Sequence, residues 1–201
     1  MKKFILSLSA MLLFTTVFAQ NEKEATALLD KAIALFEKGG VEMNGVVRYG
    51  DGAFALSLKM DHERFHADVA DFELWFDNKT QWFLRSEEIY ISEPTPEEQN
   101  MNPYLMMKNA KKQFNVSTVD SKLLPKGATA GLKLTPRNYS ELQEAKLFFD
   151  KDNRLVSMQA YLQNGNQANV DITSFKNGLK FDAKDFTCNT KDFDAEVIDM
   201  R

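Results

Sequence analysis

LWFDNKTQWFL (residues 74–84) carries both tryptophans of the chain, Trp75 and Trp82, on either side of the polar break Asp77-Asn78-Lys79-Thr80. If Asn78 and Lys79 form a hairpin turn, Trp75 faces Trp82 and Leu74 faces Phe83. A second tight turn at Ser86-Glu87 adds Ile91 to the row of Trp75 and Trp82, and Tyr90 to the row of Leu74 and Phe83. Side chains alternate across a strand, so both faces of this sheet are apolar. An antiparallel sheet needs only one dry face. Something apolar must cover the second.

Strand patterns continue on both sides of these hairpins. Phe54, Leu56, Leu58 and Met60 alternate with Ala53, Ala55, Ser57 and Lys59, the period of a strand with one wet face. Further strand-like runs lie near residues 41–49, 64–70, 72–76, 81–85, 88–92, 114–120, 131–136, 144–150, 155–162 and 167–176, many of them separated by glycine or polar turns. So many antiparallel runs predict a large curved sheet or open barrel. Ahead of them, Ala25, Leu28, Leu29, Ala32, Ile33, Leu35 and Phe36 recur at helical spacing within residues 22–38. Asn21 is placed to cap that helix and Gly39-Gly40 to end it.

Two covers suit the second apolar face: helices of the chain, or a bound apolar ligand. EPTPEEQNMNPYLMMKNAKK (residues 93–112) offers short helical pieces, one starting at Pro96 after Thr95 and one at Pro103 carrying Tyr104, Leu105, Met106 and Met107. These pieces are too short for a full cover. Methionine adapts to irregular partners, so Met101, Met106 and Met107 suit a movable lid over variable cargo and, equally, an ordinary core.

The first residues, MKKFILSLSAMLLFTTVFAQ, place Lys2 and Lys3 before an apolar run that closes on Val17, Phe18 and Ala19. This predicts a secretory signal peptide over 1–19, cut after Ala19, and one domain over 20–201. No cysteine follows the cut to take a lipid, and no later apolar run approaches a membrane span, so a soluble, unanchored mature protein is expected. The formal net charge of −4 becomes more acidic when Lys2 and Lys3 leave, which argues against nucleic acid. The lone Cys188 cannot close an internal disulfide; it reads as a small buried apolar residue, with a reactive thiol as the alternative.

HERFH, His62-Glu63-Arg64-Phe65-His66, matches the H-E-x-x-H signature of zinc hydrolases. The motif requires a helix, because in a strand the two histidines stand about 13 Å apart. Phe65, Val69, Phe72 and Phe76 recur at three and four, but Arg64, His66 and Asp68 also alternate with Phe65, Ala67 and Val69 as a strand would. No third histidine exists, so Glu87 or Glu88 would have to complete the site. No G-x-S-x-G elbow, phosphate loop, dinucleotide fingerprint or C-x-x-C occurs. Asp68, Asp71, Glu97 and Glu98 read as solvated residues rather than paired glycosidase carboxylates. A protein with no catalytic chemistry, no metal and no cofactor is expected, with a zinc-dependent hydrolase using HERFH as the outside alternative.

Several stretches taken in order resemble the LolA family of periplasmic lipoprotein carriers. WFDNKTQWFL (residues 75–84) is similar to the family's D-G-K-T-x-W hairpin, MNPYLMM (residues 101–107) to its N-T-P lid stretch, LKLTPR (residues 132–137) to its L-T-P-K strand end, and LFFDKDNRLVSMQAYLQNGNQANVDITSF (residues 147–175) to its late hairpins. The resemblance implies a mainly β (α+β) fold: an open, unclosed antiparallel β-barrel whose concave face is covered by an N-terminal helix and short lid helices. It also implies acyl chains as guests, acylated lipoproteins or lipids as partners, contacts with an inner-membrane lipoprotein-releasing transporter and an outer-membrane acceptor, and a monomer in the periplasm. A carrier of other hydrophobic ligands is the main alternative. On this reading Phe65, Val69, Phe72, Leu74, Phe76, Phe83 and Tyr90 form the acyl-chain wall, and Tyr104, Leu105, Met106 and Met107 the lid. The row of Trp75, Trp82 and Ile91 is the rival wall. Where many members carry K-R-P, with an arginine that tethers the lid, this chain has Lys59-Met60-Asp61.

Overall fold

The computed structural model describes residues 21–70, 72–95 and 102–201. The predicted signal segment, the helix start at Pro96, and Asp71, Glu97, Glu98 and Met101 lie outside the described residues. The strands are β1 (Gly40–Tyr49), β2 (Gly52–Asp61), β3 (Arg64–Val69), β4 (Phe72–Phe76), β5 (Gln81–Arg85), β6 (Glu88–Ser92), β7 (Phe114–Thr118), β8 (Ala130–Pro136), β9 (Leu142–Phe149), β10 (Leu155–Leu162), β11 (Gln167–Leu179) and β12 (Glu196–Asp199). They form one unclosed sheet in the order β12-β6-β5-β4-β3-β2-β1-β11-β10-β9-β8-β7.

The hairpins fall where local chemistry sets them. Asp77 Oδ1 accepts from the Lys79 and Thr80 amides at 2.9 and 2.8 Å, and Asn78 takes the left-handed φ of +86° that asparagine tolerates. Trp75 therefore faces Trp82, and Leu74 faces Phe83. The Ser86-Glu87 turn then sets Ile91 opposite Trp82 and Tyr90 opposite Phe83.

Helix α1, residues 21–36, buries Ala25, Leu29, Ala32 and Phe36 on one stripe. Asn21 does not cap it; its side-chain oxygen accepts from the Thr118 amide at 2.8 Å and ties the helix to β7. Helix α2 (Pro103–Gln113) is longer than the turn predicted at Pro103. Asn102 caps it, with Oδ1 accepting from the Tyr104 and Leu105 amides at 2.9 and 3.3 Å. Both helices share one core with Val41, Met43, Leu58, Met60, Phe65, Phe76, Leu132, Leu147 and Phe149. The concave face is thus the one bearing Leu74 and Phe76.

The opposite face is covered by a segment that carries no periodic signal, residues 180–195. Phe181 and Phe186 meet edge to face at 5.6 Å, and Phe193 meets Trp75 at 5.7 Å. The Arg64 guanidinium lies 4.9 Å over the fully buried Phe186, and Lys59 reaches Asp185 at 3.8 Å. Phe181 packs so closely that a Cβ at Gly40 would lie 2.4 Å from its ring. The segment ends as β12, which pairs with β6 in parallel. This strand was not predicted, and it adds one parallel pair to an otherwise antiparallel sheet.

Candidate functional site

The concave floor is built from cross-strand rows. One runs Phe175–Met43–Leu58–Ala67–Leu74–Phe83–Tyr90 across β11, β1, β2, β3, β4, β5 and β6. Val41–Met60–Phe65–Phe76 lies beside it on one side, and Leu56–Val69–Phe72 on the other. A further row, Leu147–Met158–Val170–Val47–Phe54, crosses β9, β10, β11, β1 and β2. No charged side chain stands within these rows, and the Leu56–Val69–Phe72 row ends against Arg85 of β5.

Their exposure is graded. Met43 and Met60 are sealed under the helices, while Leu74, Phe83 and Tyr90 are half-buried and Phe54 is 39% exposed. Phe72 and Phe83 keep their ring centres 5.5 Å apart, and Phe65 and Phe76 theirs 5.7 Å apart. The Tyr90 hydroxyl donates to Glu88, which raises its pKa and places its polar end outward. All seven predicted wall residues share this face. The rival row of Trp75, Trp82 and Ile91 lies on the other face, with Trp75 buried against Phe193 and Ile91 buried where β6 pairs with β12.

Of the predicted lid, Tyr104, Leu105, Met106 and Met107 are all buried in one core cluster with the floor and α1. Met106 roofs an apolar cleft of about 90 Å³ over Leu142, Ala145, Leu147, Met158, Ala160, Ala168 and Val170. The sequence reading did not single out this part of the floor, although Met158, Ala160, Ala168 and Val170 alternate along two strands. A larger depression of about 360 Å³ at the β6–β12 edge is lined by Glu87, Glu88, Asp194, Ala195 and Glu196. Its acids disfavour a hydrocarbon guest.

HERFH does not form a helix. Its first residues make the β2–β3 turn, with His62 at φ +57°, and the rest begin β3. His66 points to the face opposite the cleft, where its ring stacks on Trp75 at 4.8 Å and its Nε2 lies 3.1 Å from Glu73 Oε2. The zinc-hydrolase alternative loses the helical geometry it requires. Among the described residues no three His, Cys, Asp or Glu side chains gather as a metal would need. Burial pushes the Asp61 carboxyl up, but hydrogen bonds from His62 and Arg64 outweigh it and hold the group below its ordinary value. Cys188 is half-buried; burial first, then Glu73 and Asp192, pushes its thiol up to about 11.

An unclosed sheet with an apolar floor and helices across it is the open-barrel architecture. Residues 15–149 match the family described as outer membrane lipoprotein carrier protein LolA, and the chain belongs to that family. Among solved structures, the chain is similar to an uncharacterized conserved protein from Thermus thermophilus (TM-score 0.58, 14% identity, 88% of this chain and 99% of that one). A LolA superfamily protein from Nitrosomonas europaea is also similar, with a TM-score of 0.43 and 13% identity over 82% of this chain and 98% of that one. So is the lipoprotein LppX of Mycobacterium tuberculosis, with a TM-score of 0.43 and 12% identity over 78% of this chain and 99% of that one. No curated protein matches the chain by sequence.

Proposed function

We propose that this protein is a periplasmic chaperone that takes the acyl chains of lipoproteins onto its concave face and carries them from the inner to the outer membrane. Residues 1–19 direct export and are removed, and 20–201 act as one carrier domain, a monomer that meets a releasing transporter at the inner membrane and an acceptor at the outer. The observation that carries this reading is the apolar row from Phe175 to Tyr90, buried at Met43 and Leu58 and half-buried from Ala67 to Tyr90, without a charge. Its seven strands span about 29 Å at the usual inter-strand spacing. That exceeds the roughly 15 Å of hydrocarbon that one leaflet provides.

Burying acyl carbon is worth about 0.8 kcal/mol per CH₂, so an acylated protein does not cross water unaided. The carrier must shield the chains and still release them. A helix that packs on the empty floor and yields to a guest meets both needs, because its own lost contacts oppose the guest's burial.

The test is release from inner-membrane vesicles bearing the transporter. Acylated lipoproteins should enter the soluble fraction, complexed with this protein, only when it is added. If they stay on the vesicles while the protein extracts phospholipid or fatty acid, the protein carries free lipid. Mass spectrometry of protein isolated from periplasm provides the second arm: acylated material should co-purify, and its absence from every preparation would refute the proposal.

A further inference from the structure

Three hairpins end side by side at one end of the sheet: β1–β2 at Tyr49-Gly50-Asp51-Gly52, β10–β11 at Gln163-Asn164-Gly165-Asn166, and β8–β9 at Arg137-Asn138-Tyr139-Ser140-Glu141. They are tied to one another. The Gln163 amide donates to the Glu141 carbonyl at 2.8 Å, and Asn166 Nδ2 donates to the Tyr49 hydroxyl oxygen at 2.9 Å. The result is one rim, fixed through its own polar groups, from which large rings project. Tyr139 is 92% exposed, Tyr49 45%, and Phe54, two residues beyond the β1–β2 tip, 39%.

Two of these rings continue the apolar floor. The row Leu134–Ala145–Ala160–Ala168 passes to Tyr49, and the neighbouring row Leu147–Met158–Val170–Val47 passes to Phe54. Ala145, Ala160, Ala168, Met158 and Val170 line the apolar cleft under Met106, so the floor of the cleft leads outward onto this rim. Gly52 faces Tyr49, and a Cβ there would lie 2.4 Å from the Phe54 ring. Glycine thus lets the Phe54 ring lie over the tip.

Charge separates this end from the other. The three tips hold Asp51, Arg137 and Glu141, and Arg137 already donates to the Phe114 carbonyl at 3.0 Å. Just behind them Arg48 pairs with Asp171, and Lys146 with Glu144 at 3.2 Å. The turns at the opposite end, Asp61-His62-Glu63-Arg64, Asp77-Asn78-Lys79-Thr80 and Asp150-Lys151-Asp152-Asn153-Arg154, are dense with charge. Tyrosine and amide side chains among few charges suit the headgroup boundary of a bilayer, where the body of a ring meets hydrocarbon and its hydroxyl meets water. Entering that boundary costs the desolvation of charge, which is smaller at this rim than at the opposite turns. Further round the same end, Glu87, Glu88, Asp194 and Glu196 line the β6–β12 depression, which repels an anionic surface.

Resting on the carrier function proposed above, we infer that the rim of Tyr49, Phe54 and Tyr139 docks on a zwitterionic lipid surface. Docked there, the two floor rows run into the bilayer boundary, and a hydrocarbon chain passes from lipid to floor along apolar side chains without crossing water. So few anchors give a loose, reversible attachment, as a protein that must leave the membrane requires.

Flotation of protein isolated from periplasm with vesicles of phosphatidylcholine and phosphatidylethanolamine, without any transporter, tests the docking. The protein should float to the same extent at about 50 and about 500 mM NaCl, because aromatic burial is not screened by salt. Tyr49→Ser and Tyr139→Ser should each lower the partition coefficient about tenfold, the scale of burying part of an aromatic ring; the exposed Tyr139 carries the test if Tyr49→Ser fails to fold. Tyr139→Trp should match or exceed the unaltered protein. Leu123→Ser removes a side chain 67% exposed at the opposite end of the sheet and should change nothing, which separates docking from general stickiness. Rim-dependent flotation by protein that never carries acylated material supports docking and counts against the carrier reading. Absent flotation, flotation lost at high salt, or an equal loss from Leu123→Ser overturns the docking. So does unchanged flotation of the rim variants, even where they fail to release lipoproteins beside the transporter, since the rim then meets a protein.

Discussion

Leu74 and Trp75 are chain neighbours with opposite fates. Leu74 lies half-buried in the floor row, and Trp75 is packed between His66 and Phe193 on the other face. Leu74→Glu should abolish cargo binding at small cost in stability, as should Phe83→Glu, because each puts a carboxylate where hydrocarbon would lie. Trp75→Ala should lower unfolding free energy by about 3–5 kcal/mol yet leave binding per folded molecule unchanged. Urea titration beside a cargo-binding assay checks the pair; normal binding by folded Leu74→Glu and Phe83→Glu would refute the assignment of the floor. Cys188, with its thiol pushed up to about 11, should react with iodoacetamide at pH 8 on the order of a hundredfold more slowly in the native protein than in urea. The raised thiol pKa also fixes a sign: its contribution to stability is intact below the ordinary thiol value and falls as pH rises toward 11. Asp61 acts at the other end of the scale. Its depressed carboxyl contributes above the ordinary carboxylate range and loses that contribution as pH falls through its folded value.

At the scale of elements, the hairpins were legible because their determinants are local. Asp77 reaches amides two and three residues on, and alternation fixes which side chains share a face. The Ser86 turn has a left-handed φ of +56° at an exposed non-glycine residue. Ser86→Gly should therefore raise unfolding free energy by about 0.5–1 kcal/mol, since relief of the left-handed penalty exceeds the added chain entropy; equilibrium denaturation reads the change. The 180–195 segment was illegible for the converse reason. Phe181, Phe186 and Phe193 keep neither strand nor helix period, because their partners, Gly40, Arg64 and Trp75, lie far away in the chain. Phe186→Ala should cost about 3 kcal/mol or more, and should speed Cys188 alkylation by loosening the same segment. A destabilised variant with unaltered Cys188 kinetics would show that the thiol is not protected by this packing.

At the scale of the whole molecule, a sheet apolar on both faces requires two covers, and the chain provides them by different means. α1 and α2 lie over the concave side, and the 180–195 segment over the other. Among the described residues the first cover leaves an apolar cleft and a graded, partly open floor, whereas the depression at the edge of the second is lined by acids. The sequence by itself determined that the sheet has two apolar faces, which residues share each of them, and that a helix precedes the strands, because strand and helix periods and turn chemistry act over a few residues. Which face is concave, that residues 180–195 close the other, and that Asn102 ties α2 to the His62-Glu63 turn were decided by the tertiary structure alone. Those outcomes depend on contacts between residues distant in the chain, formed only when the sheet curls, and no local pattern encodes its direction of curvature.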